Sequence, residues 1–251
     1  MQPSKLKSLL ILGLLGSSAI VRADFVGLNI GAKYWSPDAS GTFNSTSNGP
    51  ISLQNDLGVQ DSDRSTALSI SIEHPLPGIP NLKYQGFELN SSGSSVTSSN
   101  LTFNRQTYAT GSSISSTLDL SHNDIVLYYE VLDNWVNLDL GLDFKMFDGR
   151  VSIDDELGSN SVDVNETIPL LYISARFDLP LTGMYVGANL QTLNIGDSSA
   201  QDSTLLVGYE TNTGLGVEGG FKTFNLELDD AGDLDTNLEY EGIFLNGYFR
   251  F

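Results

Sequence analysis

The chain has 251 residues, enough for one large domain or two small ones, and no cysteine, which excludes a disulfide framework and thiolate chemistry. It carries 31 acidic residues against 12 basic ones, so its general field repels nucleic acid. With 40% hydrophobic residues and 10% aromatics it is too apolar for a disordered acidic protein.

The first stretch reads MQPSKLKSLLILGLLGSSAIVRADF. Lys5 and Lys7 form a basic start, Leu9 to Leu15 a short apolar core, and Val21-Arg22-Ala23 a small-residue cleavage pattern. This predicts a secretory signal peptide over residues 1–23, removed after Ala23. The apolar run is too short and too broken by Gly and Ser for a membrane helix. Residues 24–251 then form the mature chain, with nine basic residues against 31 acids and a formal net charge of −22.

From there the hydrophobic period is two almost everywhere, the signature of strands. In DFVGLNIGAKYW, Val26, Leu28, Ile30, Ala32 and Tyr34 share one face, with Gly27, Asn29, Gly31 and Lys33 on the other. STALSISIEH repeats the pattern with Leu68, Ile70 and Ile72. In NLKYQGFELN, Leu82 and Tyr84 fall on one parity and Phe87 and Leu89 on the other, which predicts a bulge near Gly86. Further strands follow over Ile125–Val131, Val136–Met146, Leu171–Phe177, Met184–Leu190, Thr204–Thr211, Gly214–Phe224 and Tyr240–Phe251.

The connections alternate in length. Long segments (36–64, a Ser-rich stretch 91–116, 148–166 and 228–238) alternate with short ones (PLPGIP, LDN, LPLT and TNTG), and NIGDSSAQD is intermediate. Strands of about ten residues joined in this way predict an all-β, antiparallel up-and-down transmembrane β-barrel of about 10 strands. Eight is the alternative count, if the Thr204–Phe224 hairpin is misread. A soluble β-sandwich would also alternate, but its loops would not alternate so regularly.

An even strand count puts both termini at the short-turn rim. The ending LNGYFRF is then a lipid-facing strand with Phe249 and Phe251 at the periplasmic interface, joined by Tyr129, Phe177 and Tyr209. Tyr34, Phe144 and Phe221 fall near the opposite rim as a second aromatic girdle. A terminal strand ending in Phe with an aromatic two residues earlier resembles the assembly signal of bacterial outer-membrane proteins. That resemblance implies that Phe249 and Phe251 are read by the barrel-assembly machinery. The whole mature chain, through DLSHNDIVLYYEVLDNWVNLDLGLDFKMFDG, Gly219-Gly220 in the penultimate strand and the terminal strand, resembles a family of small outer-membrane barrels of Gram-negative, often marine, bacteria. The family implies fold and location, with outer-membrane lipid and lipopolysaccharide as surroundings, and no established activity.

Three constellations could carry chemistry. By parity, Lys33, Asp124, Glu130, Asp139, Asp143, Lys145, Arg176, Glu218, Lys222 and Arg250 point inward, with Glu73 and Glu210. A narrow barrel fills its interior with side chains, and charges survive there only paired or hydrated. These residues are therefore read either as an ion-pair network in a filled lumen or as the wall of a narrow conduit for small solutes. His122 and Asp124, at i and i+2 near the long-loop side with Asp119 nearby, are the one hint of a water-activating rim site; His74 reads as a turn residue. The acidic segments, with Asp154, Asp155 and Glu156 in one and Asp229, Asp230, Asp233 and Asp235 in the other, offer oxygen ligands suited to weak Ca²⁺ or Mg²⁺ binding. They lack the spacing of an EF-hand loop, and the plainer reading is a solvated, self-repelling surface. No other cofactor is expected. The leading function is non-enzymatic, a structural or surface barrel with a filled lumen; a narrow pore is second and a rim hydrolase or protease third.

Overall fold

The computed structural model describes residues 26–44, 49–59, 65–228 and 235–251. The expected signal peptide and Asp229, Asp230 and Asp233 lie outside them. The described residues contain strands and turns and no helix.

Ten strands form the barrel: β1 Gly27–Asn44, β2 Ser65–Glu73, β3 Asn81–Glu88, β4 His122–Asp133, β5 Val136–Phe147, β6 Thr167–Asp178, β7 Met184–Ile195, β8 Ser198–Glu210, β9 Leu215–Leu228 and β10 Asp235–Arg250. Each pairs antiparallel with its neighbours in sequence, and β10 returns to pair with β1 from Asn29↔Arg250 to Asn44↔Asp235. Phe251 N donates to Leu28 O at 2.8 Å, so the last residue is tied into the closed sheet. Closure leaves no strand edge among the barrel strands.

Alternation sorts the side chains into two faces. The outward residues of β10 run Glu239, Glu241, Ile243, Leu245, Gly247, Phe249, and those of β1 run Leu28, Ile30, Ala32, Tyr34, Ser36, Asp38. On both strands the outward face is apolar for about nine residues from the short-turn rim, the length a tilted strand needs to cross hydrocarbon, and polar beyond. Tyr34, Phe221 and Tyr84 stand at the upper border of this belt, and Tyr129, Trp135, Phe177, Tyr209 and Phe249 at the lower one, all exposed outward.

Several strands differ from the sequence expectation. β1 runs on to Asn44 instead of ending at Trp35, and β10 begins at Asp235 instead of Tyr240, because the barrel wall continues beyond the apolar belt. β8 begins at Ser198, so the segment expected as an intermediate loop is a two-residue Gly196-Asp197 turn, with Gly196 at φ 61°. β3 has no bulge: its register runs unbroken from Asn81↔Tyr128 to Phe87↔His122. Phe87 and Leu89 point inward because the lumen itself is apolar at that height.

The long connections fold. Asn90–Val96, Ser113–Asp119, Gly149–Asp155 and Gly158–Val164 form a four-stranded antiparallel sheet over the long-loop rim, and Leu101–Phe103 pairs with Gln106–Tyr108 in a small hairpin. Within the Ser-rich connection, Ser91 and Ser116 are buried. A Cβ on Gly93 would lie 2.5 Å from Leu57 O, so small residues here let the 53–59 segment press onto the sheet. Leu53, Leu57 and Val59 of that segment join Trp35, Phe103, Phe224 and Tyr240 in one buried apolar cluster that fills the outer half of the lumen. This sheet, hairpin and segment together form a cap.

Candidate functional site

Seen from the short-turn rim inward, the lumen is a polar cavity of about 810 Å³. Its mouth is framed by Val26, His74, Pro75, Asp133, Arg250 and Phe251. Its walls carry most of the inward charges read from parity: Lys33, Glu130, Asp139, Arg176, Glu218 and Arg250 line it, with Glu73 and Lys83.

One wall is tightly bonded. Arg176 donates from Nε to Asp178 Oδ1 at 2.8 Å and from Nη1 to Glu210 Oε2 at 3.2 Å, with its guanidinium 3.6 Å from the Tyr185 ring centre. Tyr248 OH donates to the same Glu210 oxygen at 2.8 Å. Tyr185 OH donates to Glu218 Oε1 at 2.9 Å, and Asn246 Nδ2 donates to Glu218 Oε2 at 2.9 Å. Gly208 and Gly216 make room for these rings, since a Cβ on either would sit within 2.2 Å of the Tyr185 or Tyr248 ring.

Above the cavity lies a buried charge layer. Lys145 Nζ donates to Asp124 Oδ1 and Oδ2, both at 3.0 Å, and to Asp202 Oδ2 at 3.3 Å, while Lys222 bonds the other Asp202 oxygen. Lys145 is 0% exposed. Two lysines against two aspartates balance the layer, which is what allows charges to survive without water. Asp143, also 0% exposed, faces the layer with both carboxylate oxygens lacking a hydrogen-bond partner. Beyond the layer the interior is the apolar core and cap.

Asp202 escapes the sequence reading because SSAQD carries no hydrophobic period that separates it from a loop. Once β8 is known to start at Ser198, parity places it inward. Lys83, Gln85, Tyr185 and Tyr248 were legible by the same parity, and the mixed reading of β3 hid the first two.

The rim-hydrolase expectation fails at His122. Its ring is buried and stacks on Phe87 with centres 5.0 Å apart; Nδ1 donates to Leu120 O at 2.9 Å, and Nε2 is 4.0 Å from Asp124 as its nearest acid. Asp119 instead accepts from Ser121 N at 2.9 Å. His74 holds a turn: Leu76 N donates to its Nδ1 at 3.3 Å and its Nε2 donates to Pro80 O at 3.2 Å.

In the acidic segment, Asp154 and Asp155 lie on one strand of the cap sheet, and Asp155 Oδ1 accepts from Leu157 N and Gly158 N at 2.9 and 3.1 Å, closing the hairpin turn that contains Glu156. Asp235 is placed by its backbone pairing with Asn44. Among the described residues no three His, Asp or Glu are grouped to hold a metal ion. Phe249 and Phe251 meet edge to face with centres 4.6 Å apart on the outer surface. Of the Gly-Gly pair, Gly220 faces inward, and a Cβ there would lie 1.9 Å from Leu205 O, so the pair marks a close approach of β8 and β9.

No protein-family model matches the sequence, and a search of the curated proteins finds no match either. Among solved structures the chain is similar to the outer membrane protease OmpT from Escherichia coli (12% identity, 91% of this chain and 97% of that one, TM-score 0.49). It is also similar to the translocator domain of the autotransporter NalP from Neisseria meningitidis (14%, 88% and 88%, 0.42) and to the attachment invasion locus protein Ail of Yersinia pestis (11%, 90% and 99%, 0.34). At these identities and scores the likeness carries nothing about activity; the barrel assignment stands on the strand register.

Proposed function

We propose that this chain is a non-enzymatic barrel of a bacterial outer membrane, closed toward the outside by its own folded cap and open toward the periplasm through the polar cavity. The supporting observation is the dry core over the charge layer. Trp35, Leu53, Leu57, Phe103 and Phe224 are each at most 1% exposed, and they occupy the lumen where a conduit would have to pass. The membrane location is supported by the apolar belt, which an aqueous surface would not tolerate at this size, and by the leader-like N-terminus. Lipid and lipopolysaccharide then surround the belt, the terminal Phe249 and Phe251 serve the assembly machinery, and the cap is the surface offered to the exterior. His122 is not placed to activate water, because its ring is sealed among Phe87, Phe147 and Phe224.

Single-channel recording of the folded protein in a planar bilayer tests this reading. Silence is expected from protein whose gel migration is heat-modifiable. Discrete, ion-selective steps would replace the closed barrel with the narrow pore.

A further inference from the structure

The cations of the lumen divide into two groups. Lys145, Lys222 and Arg176 each have carboxylate partners. Lys33 on β1 and Lys83 on β3 line the cavity and have no ion pair or hydrogen bond among the described residues; Lys33 Nζ rests 4.8 Å from the Phe244 ring centre and Lys83 Nζ 5.9 Å from that of Tyr172. The two ammonium groups are close enough to feel one another; Glu218 acts on both, Asp202 on Lys33, and Asp124 and Asp143 on Lys83, none of them in contact. In a chain with so large an excess of acid, two half-buried lysines with no carboxylate in direct contact, the nearest acids acting on them only from further away, leave room for an anion between them.

Their surroundings point the same way. Gln85 lies one inward position above Lys83, is only 7% exposed, lines the cavity and makes no hydrogen bond among the described residues. Ser69 and Ser71 of β2 lie between the two lysine strands, paired with Gln85 and Lys83 respectively, and Asn29 stands opposite Ser71 on β1. This three-strand patch presents ammonium, amide and hydroxyl groups and no carboxylate until Glu73 at the mouth. A Cβ on Gly31, at its centre, would lie 2.9 Å from Ser69 Oγ, so the glycine lets that hydroxyl sit close against β1.

We propose that the β1–β2–β3 corner of the cavity binds an oxyanion, a carboxylate or phosphate group, between Lys33, Lys83 and Gln85. Charge-assisted bonds from two ammonium groups would supply the direct contact that no carboxylate of the chain makes, and the amide fixes orientation. The group can come from a soluble solute of the periplasm or from a lipid headgroup entering at the rim.

The test uses protein extracted into an uncharged detergent from the membranes of an expressing Gram-negative host. It is titrated calorimetrically with inorganic phosphate, with succinate, and with phosphatidylglycerol in mixed micelles. One saturable event per barrel is expected for at least one probe, weakened about tenfold or more by Lys33→Gln or Lys83→Gln and unchanged by Arg150→Gln in the cap. Saturation by phosphate or succinate assigns a soluble ligand, and saturation by the lipid alone assigns a headgroup. No saturation by any probe, saturation that survives both lysine substitutions, or equal weakening by Arg150→Gln overturns the proposal. Heat-modifiable migration checks that each variant folds; if either lysine variant does not, Gln85→Ala takes its place, with about fivefold weakening expected and unchanged affinity contradicting the site. The readout is binding, so its failure is distinct from a failure of the closed-barrel reading.

Discussion

The inner and outer halves of this barrel obey opposite rules on the same strands. Near the short-turn rim β9 turns Leu215, Val217 and Phe221 outward and Glu218 and Lys222 inward; two residues further on it turns Phe224 and Leu226 inward and Glu227 outward. β3 changes between Gln85 and Phe87, β1 between Lys33 and Trp35, and β10 between Asn246 and Phe244. The inner half is built like a membrane protein, apolar outside and polar within, and the outer half like a soluble one. The changeover coincides with the Lys145–Asp124–Asp202–Lys222 layer. Strand alternation therefore reports which side a residue faces, and the medium on each side has to be learned separately for each height.

Substitutions break this comparison at different strengths. Lys145→Ala removes the lysine partner of Asp124 and one of the two lysines on Asp202 at the changeover, leaving the buried Asp124 carboxylate unpaired; it should cost about 3–5 kcal/mol, read as a lower urea midpoint of the vesicle-embedded barrel. Phe224→Ala opens a cavity in the dry half and should cost about 3 kcal/mol by the same measurement. Ser71→Ala, at a wet position in the other half, should cost roughly 0.5 kcal/mol or less.

Tyr108 sharpens the outer half through pH. It lies in the cap, donates to Ile153 O at 2.8 Å, and burial, with the Asp155 and Asp154 carboxylates beside it, pushes its phenol up to about 12 from 10.0. The folded cap keeps the proton that the unfolded chain gives up, so this stabilisation is complete below pH 10 and is lost as pH rises from 10 toward about 12. Tyr108→Phe should cost about 1 kcal/mol at neutral pH and flatten the alkaline loss, measured by melting of the cap at pH 8 and pH 11. An effect as small as that of Ser71→Ala is expected for Arg150→Gln. Its 2.7 Å pair with Asp163 is solvent-exposed on the cap sheet, and stability should change by roughly 0.5 kcal/mol or less.

Much of the inner half was legible in the sequence. The ten strands, the parity of Asp124, Asp139, Asp143, Lys145 and Glu218, and the placement of Phe249 and Phe251 all follow from a period of two against a lipid-facing belt. The outer half was not legible. The 91–116 stretch reads only as a long Ser-rich connection, yet Gly93 and Ser116 are small because the 53–59 segment packs on them. Phe87 and Leu89 read as a bulge because an apolar lumen was not expected. Asp202 was lost with the start of β8, since a Gly-Asp turn between polar residues carries no hydrophobic period to mark the strand.

Sided labelling of single cysteines tests the central claim most directly, and the chain has no native cysteine to interfere. Ser71→Cys lines the cavity and Ser116→Cys lies within the capped half. The account predicts that a membrane-impermeant thiol reagent leaves both unlabelled in intact cells and labels only Ser71→Cys once the periplasm is opened. Labelling of Ser71→Cys in intact cells would mean a continuous path through the cap and would contradict the account.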